Sequence, residues 1–103
     1  MIDLNELSQK AVTNSKNRAR NGDFGEPDDY ISETLKHCSG EVLEAMEAYC
    51  AFREFRTDIL KKQLVGELAD VIMCALVVSG IMRIDIENAL TECAEKNRVR
   101  GKK

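Results

Sequence analysis

The sequence predicts an all-α domain of four helices packed in a bundle-like subunit. Three observations carry that expectation. Apolar residues recur at spacings of three and four through four separate stretches, the period of a helix rather than of a strand. Aromatic residues are only 5%, so the core is built from Leu, Ile, Val, Met and Ala, which favours helices over sheets. No stretch of useful length alternates apolar and polar residues, and no linker divides the 103 residues, which read as one domain, 1–103.

Ile2, Leu4, Leu7 and Ala11 predict a first helix continuing weakly to about Arg20. The segment Asn21-Gly-Asp-Phe-Gly-Glu-Pro27 breaks it. Pro27, Asp28 and Asp29 suit the first turn of a second helix, where proline loses no hydrogen bond and acids meet the positive end of the dipole. Ile31, Leu35, Cys38, Val42, Ala45 and Tyr49 form its apolar stripe, to about Glu54. Thr57 caps a third helix with Leu60, Leu64, Leu68, Val71 and Ala75 as its stripe, ended by Gly80. From Val71 to Val78 that helix is apolar nearly all round, which predicts burial on more than one side and hence a partner subunit. Asp85 caps a fourth helix bearing Ile86, Ala89, Leu90 and Cys93, followed by a basic tail from Lys96 to Lys103.

Charge narrows the function. Fifteen Lys and Arg against 18 Asp and Glu give a net charge of -3, whereas phosphate neutralisation along a nucleic acid needs a basic excess. The N-terminal Met-Ile-Asp-Leu-Asn-Glu-Leu has acids where a signal peptide needs bases and an apolar run. The run from Leu68 to Met82 is shorter than the roughly 20 residues that span a bilayer, and Asp70 interrupts it. The expectation is a cytoplasmic chain with no membrane partner. Cys38, Cys50, Cys74 and Cys93 form no Cys-x-x-Cys pair and read as free thiols packed as small hydrophobes in a reducing compartment.

Acidic pairs three apart are plentiful, and most such pairs are simply solvated; context singles out Glu67 and Asp70. They open the most apolar helix, and no Lys or Arg sits one turn away on it. A carboxylate buried there needs a cation or hydrogen-bond donors, because an unpaired buried charge costs at least several kcal/mol. A metal ion is one candidate partner and a salt bridge from another helix is the other. A local echo points further: Gly40-Glu41-Val-Leu-Glu44 matches Gly66-Glu67-Leu-Ala-Asp70. Glycine inside a helix costs about 1 kcal/mol against alanine, so the two glycines suggest close approach of facing helices. Antiparallel second and third helices then aim four carboxylates at one point. An all-oxygen set suits hard cations, Mg²⁺ or Mn²⁺. A di-iron bundle wants paired Glu-x-x-His motifs, and this chain has one histidine, His37.

Glu41-x-x-Glu44 followed by Glu67-x-x-Asp70, embedded in Gly40-Glu-Val-Leu-Glu-Ala-Met-Glu-Ala-Tyr49 and Gly66-Glu-Leu-Ala-Asp-Val-Ile72, resembles the metal motif of the MazG-like all-α nucleoside triphosphate pyrophosphohydrolases. The end, Asn97-Arg-Val-Arg100-Gly-Lys-Lys103, is similar to that family's Asn-x-x-Arg segment with its basic tail. The resemblance covers roughly Leu35 to Lys103. It implies a helical subunit in a homodimer or homotetramer that uses Mg²⁺ to split a (deoxy)nucleoside triphosphate into monophosphate and pyrophosphate. Carried over, Glu41, Glu44, Glu67 and Asp70 are catalytic metal ligands, and Asn97 and Arg100 contact the substrate phosphates. Two features depart from the pattern. Cys93 stands where a lysine often precedes the asparagine by four residues, and an aromatic-rich segment is reduced to Phe24.

Two other classes compete. A metal-free helical interaction protein, or a degenerate relative that binds nucleotide without cleaving it, keeps the apolar face but needs no convergent acids. A nucleic-acid binder rests on Lys16, Arg18, Arg20 and the tail, bases too sparse to make a patch.

Overall fold

The computed structural model describes residues 2–18 and 27–101. Four helices follow in order: α1 (Leu4–Arg18), α2 (Pro27–Phe55), α3 (Asp58–Ile81) and α4 (Ile86–Arg100). The fold is an all-α four-helix bundle, as the periodicity predicts. The breaker around Phe24, the continuation of the first helix to Arg20 and the last two lysines lie outside the described residues.

The helix starts follow from local chemistry. Asp3 Oδ1 accepts from the Glu6 backbone N–H at 3.1 Å and opens α1. Pro27, Asp28 and Asp29 occupy the first turn of α2. Thr57 Oγ1 accepts from the Leu60 N–H at 3.2 Å, and Asp85 Oδ1 from the Asn88 N–H at 3.1 Å. Between α2 and α3 the chain reverses through Arg56, at φ 52°, whose guanidinium lies 5.1 Å from the Phe52 ring centroid. With only two residues between them, α2 and α3 form an antiparallel helical hairpin, the largest contact in the molecule.

Gly80 does not end α3. The helix runs through Ile81, and Arg83 follows in the left-handed region at φ 54°. The Arg83 N–H reaches Gly80 O at 3.2 Å and the Ile84 N–H reaches Ser79 O at 2.9 Å, the paired bonds of a Schellman motif with arginine in the glycine place. Gly80 serves packing instead. A Cβ there lies 2.4 Å from Val12 Cγ2 and 2.8 Å from the Ser8 carbonyl oxygen. This is where α1 is laid against α3, with the buried Ser8 hydroxyl donating to Leu76 O at 2.6 Å. Gly40 and Gly66, where the sequence suggests close approach, have nothing within 4 Å of an added Cβ. The tight crossing is α1 on α3, not α2 on α3.

The core is correspondingly one-sided. Ala11, Leu76 and Val77 are buried together, with Leu7, Tyr30, Met73, Ile81 and Ile86 packed around them. The other face of α3 is open: Leu68 is 49% and Ile72 59% exposed, and Ala75, expected in the stripe, is exposed too. Along α2, only Ala45 of the expected stripe is buried. By length and hydropathy α3 could cross a membrane. However, Glu67 and Asp70 sit at its midpoint, where a carboxylate at the bilayer centre costs roughly 2.5–3.5 kcal/mol or more.

The α1–α3 crossing gives a test. Gly80→Ala forces Val12 or the Ser8 backbone aside and should destabilise the fold by about 1–3 kcal/mol in urea unfolding, the usual range for overpacking. Gly40→Ala, with open space around it, should instead gain up to about 1 kcal/mol.

Candidate metal centre

The antiparallel α2–α3 hairpin brings the two acidic motifs to the same level. Each places its acids three residues apart, on one helix face. Carboxylate oxygens of Glu41, Glu67 and Asp70 lie within 4.8 Å of one another. Glu44 lies near enough for its charge to act on Glu67. The structure thus brings together three of the four acids that the sequence pairs, Glu41, Glu67 and Asp70; Glu44 is exposed and outside that group.

Glu41 is the most enclosed of them, with a side chain only 12% exposed; its Oε1 faces His37 Nε2 at 2.9 Å, one turn back on α2. Its Oε2 and the Oε2 of Glu67 are shielded from solvent with no hydrogen-bond partner. Orphaned carboxylate oxygens are costly, and they occur at both helices of the seam. The Glu67 pKa is raised above its ordinary 4.5, first by desolvation and then by Glu44, Asp70 and Glu41. Removal from water and like charges act in the same direction here, and a cation reverses both. The donors are all oxygen and fit a hard divalent ion, Mg²⁺ or Mn²⁺. Of the two partners left open by the sequence, a salt bridge from another helix is not seen at the cluster among the described residues: the ion pair there is His37–Glu41, within α2.

Beside the cluster a cleft of about 670 Å³ opens between α1, α2 and α3. Asn14 and Ser15 of α1, Tyr30, Glu33, Thr34 and His37 of α2, and Met73 and Val77 of α3 form its walls, with Glu41 and Asp70 at its acidic end. Ser15 and Tyr30 share a hydrogen bond between their hydroxyls across the α1–α2 gap. The His37–Glu41 spacing is legible in the sequence as an i,i+4 pair. The α1 residues are not, because α1 reaches this cleft only by packing over α3.

Asn97 and Arg100 stand apart. They lie on the exposed last turns of α4, where Asn97 Nδ2 is 3.9 Å from Cys93 Sγ. The hydrogen bonds that join α4 to the rest of the described chain involve only Asp85, Ile86 and Glu87. The cysteines are free thiols, but Cys50 and Cys93 are exposed rather than packed as small hydrophobes. Cys74 is half-buried beside Cys38, and its pKa is pushed up to about 11 by burial and that neighbour.

The raised Glu67 pKa sets a pH dependence. The folded chain binds more protons than the unfolded one just above the ordinary glutamate range, so metal-free stability should rise as pH falls from neutrality toward 4.5. Excess Mg²⁺ should remove that rise by stabilising the folded state at neutral pH. Thermal unfolding with and without Mg²⁺ measures both. Glu67→Gln should raise the metal-free melting temperature at pH 7 and abolish the response to Mg²⁺.

No family model, curated protein or solved structure matches this chain.

Proposed function

We propose that this chain is a Mg²⁺-dependent nucleoside triphosphate pyrophosphohydrolase of the MazG-like kind, acting as a homo-oligomer in the cytoplasm. One observation carries the proposal: carboxylates from two helices converge within 4.8 Å, with oxygens on Glu41 and Glu67 shielded from water and unpartnered. A fold that held these acids only for solubility would leave them solvated.

Glu41, Glu44, Glu67 and Asp70 would hold the metal. Bound there, Mg²⁺ supplies the charge that lets an acidic site accept a triphosphate and the Lewis acidity that activates water. The protein's own part is placement. α2 and α3 fix the acids at one level, and the adjoining cleft, with its Asn14, Tyr30 and His37 edges, offers room for the nucleoside. In the reaction, water forms a bond to the α-phosphorus while the bond from that phosphorus to the bridging oxygen breaks. Pyrophosphate leaves, and a cluster carboxylate takes the proton of the attacking water. Asn97 and Arg100, one turn apart, present an amide and a forked guanidinium suited to phosphate oxygens.

A second reading is favoured by Cys93 and by the lack of any Lys or Arg among the described residues of the cleft walls: a helical oligomer that binds nucleotide without cleaving it. Product analysis separates the two. Incubation with the common ribo- and deoxyribonucleoside triphosphates plus Mg²⁺ should release monophosphate and pyrophosphate. Diphosphate and inorganic phosphate would exclude the class, and no product from any triphosphate would favour the binding protein. Glu41→Gln and Asp70→Asn should each lower turnover by more than the roughly 10–100-fold that losing an outer-shell partner costs. Arg100→Ala should weaken triphosphate binding while leaving Mg²⁺ affinity unchanged, as calorimetry would show.

A further inference from the structure

We infer that Cys38 and Cys74 are a redox-active dithiol, closing reversibly into a disulfide that staples α2 to α3 one turn beyond the acids and tightens their hold on a divalent ion. The bridge itself needs no metal; its effect on the acids rests on the reading of the cluster as a metal centre.

The placement follows from helix register. Carboxylate oxygens of Glu41 on α2 and Asp70 on α3 lie within 4.8 Å of each other. Cys38 stands three residues before Glu41, and Cys74 four residues after Asp70. Both offsets keep a residue on the same helix face. Because the helices are antiparallel, both steps lead away from the Arg56 turn, by roughly 4.5 Å along α2 and roughly 6 Å along α3. The two thiols therefore come to one level, the next level of the seam. Their surroundings agree. Cys38 and Cys74 are both half-buried, whereas Cys50 and Cys93 are exposed. Burial first, and then Cys38 as a direct neighbour, push the Cys74 pKa up to about 11.

One such thiol alone is a small apolar filler. Two that face each other can exchange with a low-molecular-weight disulfide. One protein thiolate attacks a sulfur of the reagent, the reagent's S–S bond breaks, and half of the reagent leaves as a thiolate. The second protein thiolate attacks the mixed disulfide, forms the Cys38–Cys74 bond and expels the other half. The two thiol protons pass to the expelled thiolates. The protein dithiol is thus oxidised by two electrons, and the reagent is reduced to two thiols. Cys74 lines the cleft, where a reagent reaches it from solvent. Glu33, Glu41 and Asp70 on the same walls repel anionic reagents and admit uncharged ones.

The bridge bears on the acids through the two helices. Their short turn ties α2 to α3 on one side of the acidic level, and a link from Cys38 to Cys74 ties them on the other. Glu41 and Asp70 are then held between two covalent connections, against their mutual repulsion. Ligands fixed in place bind more tightly, because less order has to be imposed on binding. In a reducing compartment, bridges of this kind are transient and redox-sensing rather than structural.

Two measurements decide the matter. The chain carrying Cys50→Ser and Cys93→Ser keeps only the facing pair. It is equilibrated with uncharged hydroxyethyl disulfide and its thiol at graded ratios, quenched in acid, alkylated and digested. A Cys38–Cys74 peptide pair linked within one chain is expected, reversed by dithiothreitol. Closing a loop of about 35 residues should also raise the melting temperature by roughly 10 °C or more. Thiols that stay open to alkylation at every ratio, reagent adducts on Cys38 or Cys74 that never close, or a bridge found only between two chains would each overturn the inference. The second measurement titrates Mg²⁺ into the oxidised and reduced chains by calorimetry. The oxidised chain should bind several-fold more tightly, and equal affinities overturn the control of the acids. A chain that binds no Mg²⁺ in either state defeats the metal reading, and the peptide map still decides the bridge.

Discussion

The carboxylates at the α2–α3 seam are the constraint on which the rest of the structure turns. Glu41 and Glu67 each hold an oxygen away from water with no donor on it, and Asp70 and Glu44 add like charge beside them. A hairpin of two long helices would pack more favourably with apolar residues at those positions. That it carries acids there means the seam is strained electrostatically at their level. The raised Glu67 pKa reports the same balance from the proton's side. A divalent cation among Glu41, Glu67 and Asp70 would offset that charge.

The second organising feature is the asymmetry of α3. Its Leu76, Val77, Ser79 and Gly80 face is sealed by α1, while its Leu68 and Ile72 face is open. Ser8 and Gly80 make the sealed side tight, through a hydrogen bond to Leu76 O and through the absence of a side chain. The acids lie between the two faces. The same helix therefore anchors the core, carries half of the acidic cluster and presents an uncovered apolar surface, and substitutions along it will differ in kind within a single turn. Val77, 6% exposed, belongs to the core of its own chain. A charge placed there unfolds the subunit rather than parting two subunits, which moves any oligomer interface on α3 to the Leu68–Ile72 side.

Much of this was legible in the residues, for reasons that are local. Caps at Thr57 and Asp85, proline at the start of α2 and the three-and-four spacing of apolar residues depend on near neighbours, and the helix boundaries came within a few residues. Glu41, Glu67 and Asp70 were legible because two Gly-acid-x-x-acid motifs, on helices joined by a short turn, come to the same level. What escaped was long-range. Gly80 reads as a stop from its neighbours, but its role is set by Val12 and Ser8, some 70 positions earlier. Gly40 and Gly66 read as contact glycines and are not, because the α2–α3 hairpin does not close tightly there. Asn14 and Ser15 carry no motif, since only the docking of α1 brings them to the cleft.

The distribution of contacts along the chain also bears on how the molecule is made. The α2–α3 hairpin closes through a two-residue turn, so its contacts are near in sequence and form quickly. α1 has its principal contacts on the far end of α3, with Ser8 meeting Leu76 across 68 positions. On the ribosome α1 therefore emerges before α3 and is docked late, after the chain has been synthesised through Gly80. Until then Leu7, Ala11 and Val12 lack the α3 face that covers them.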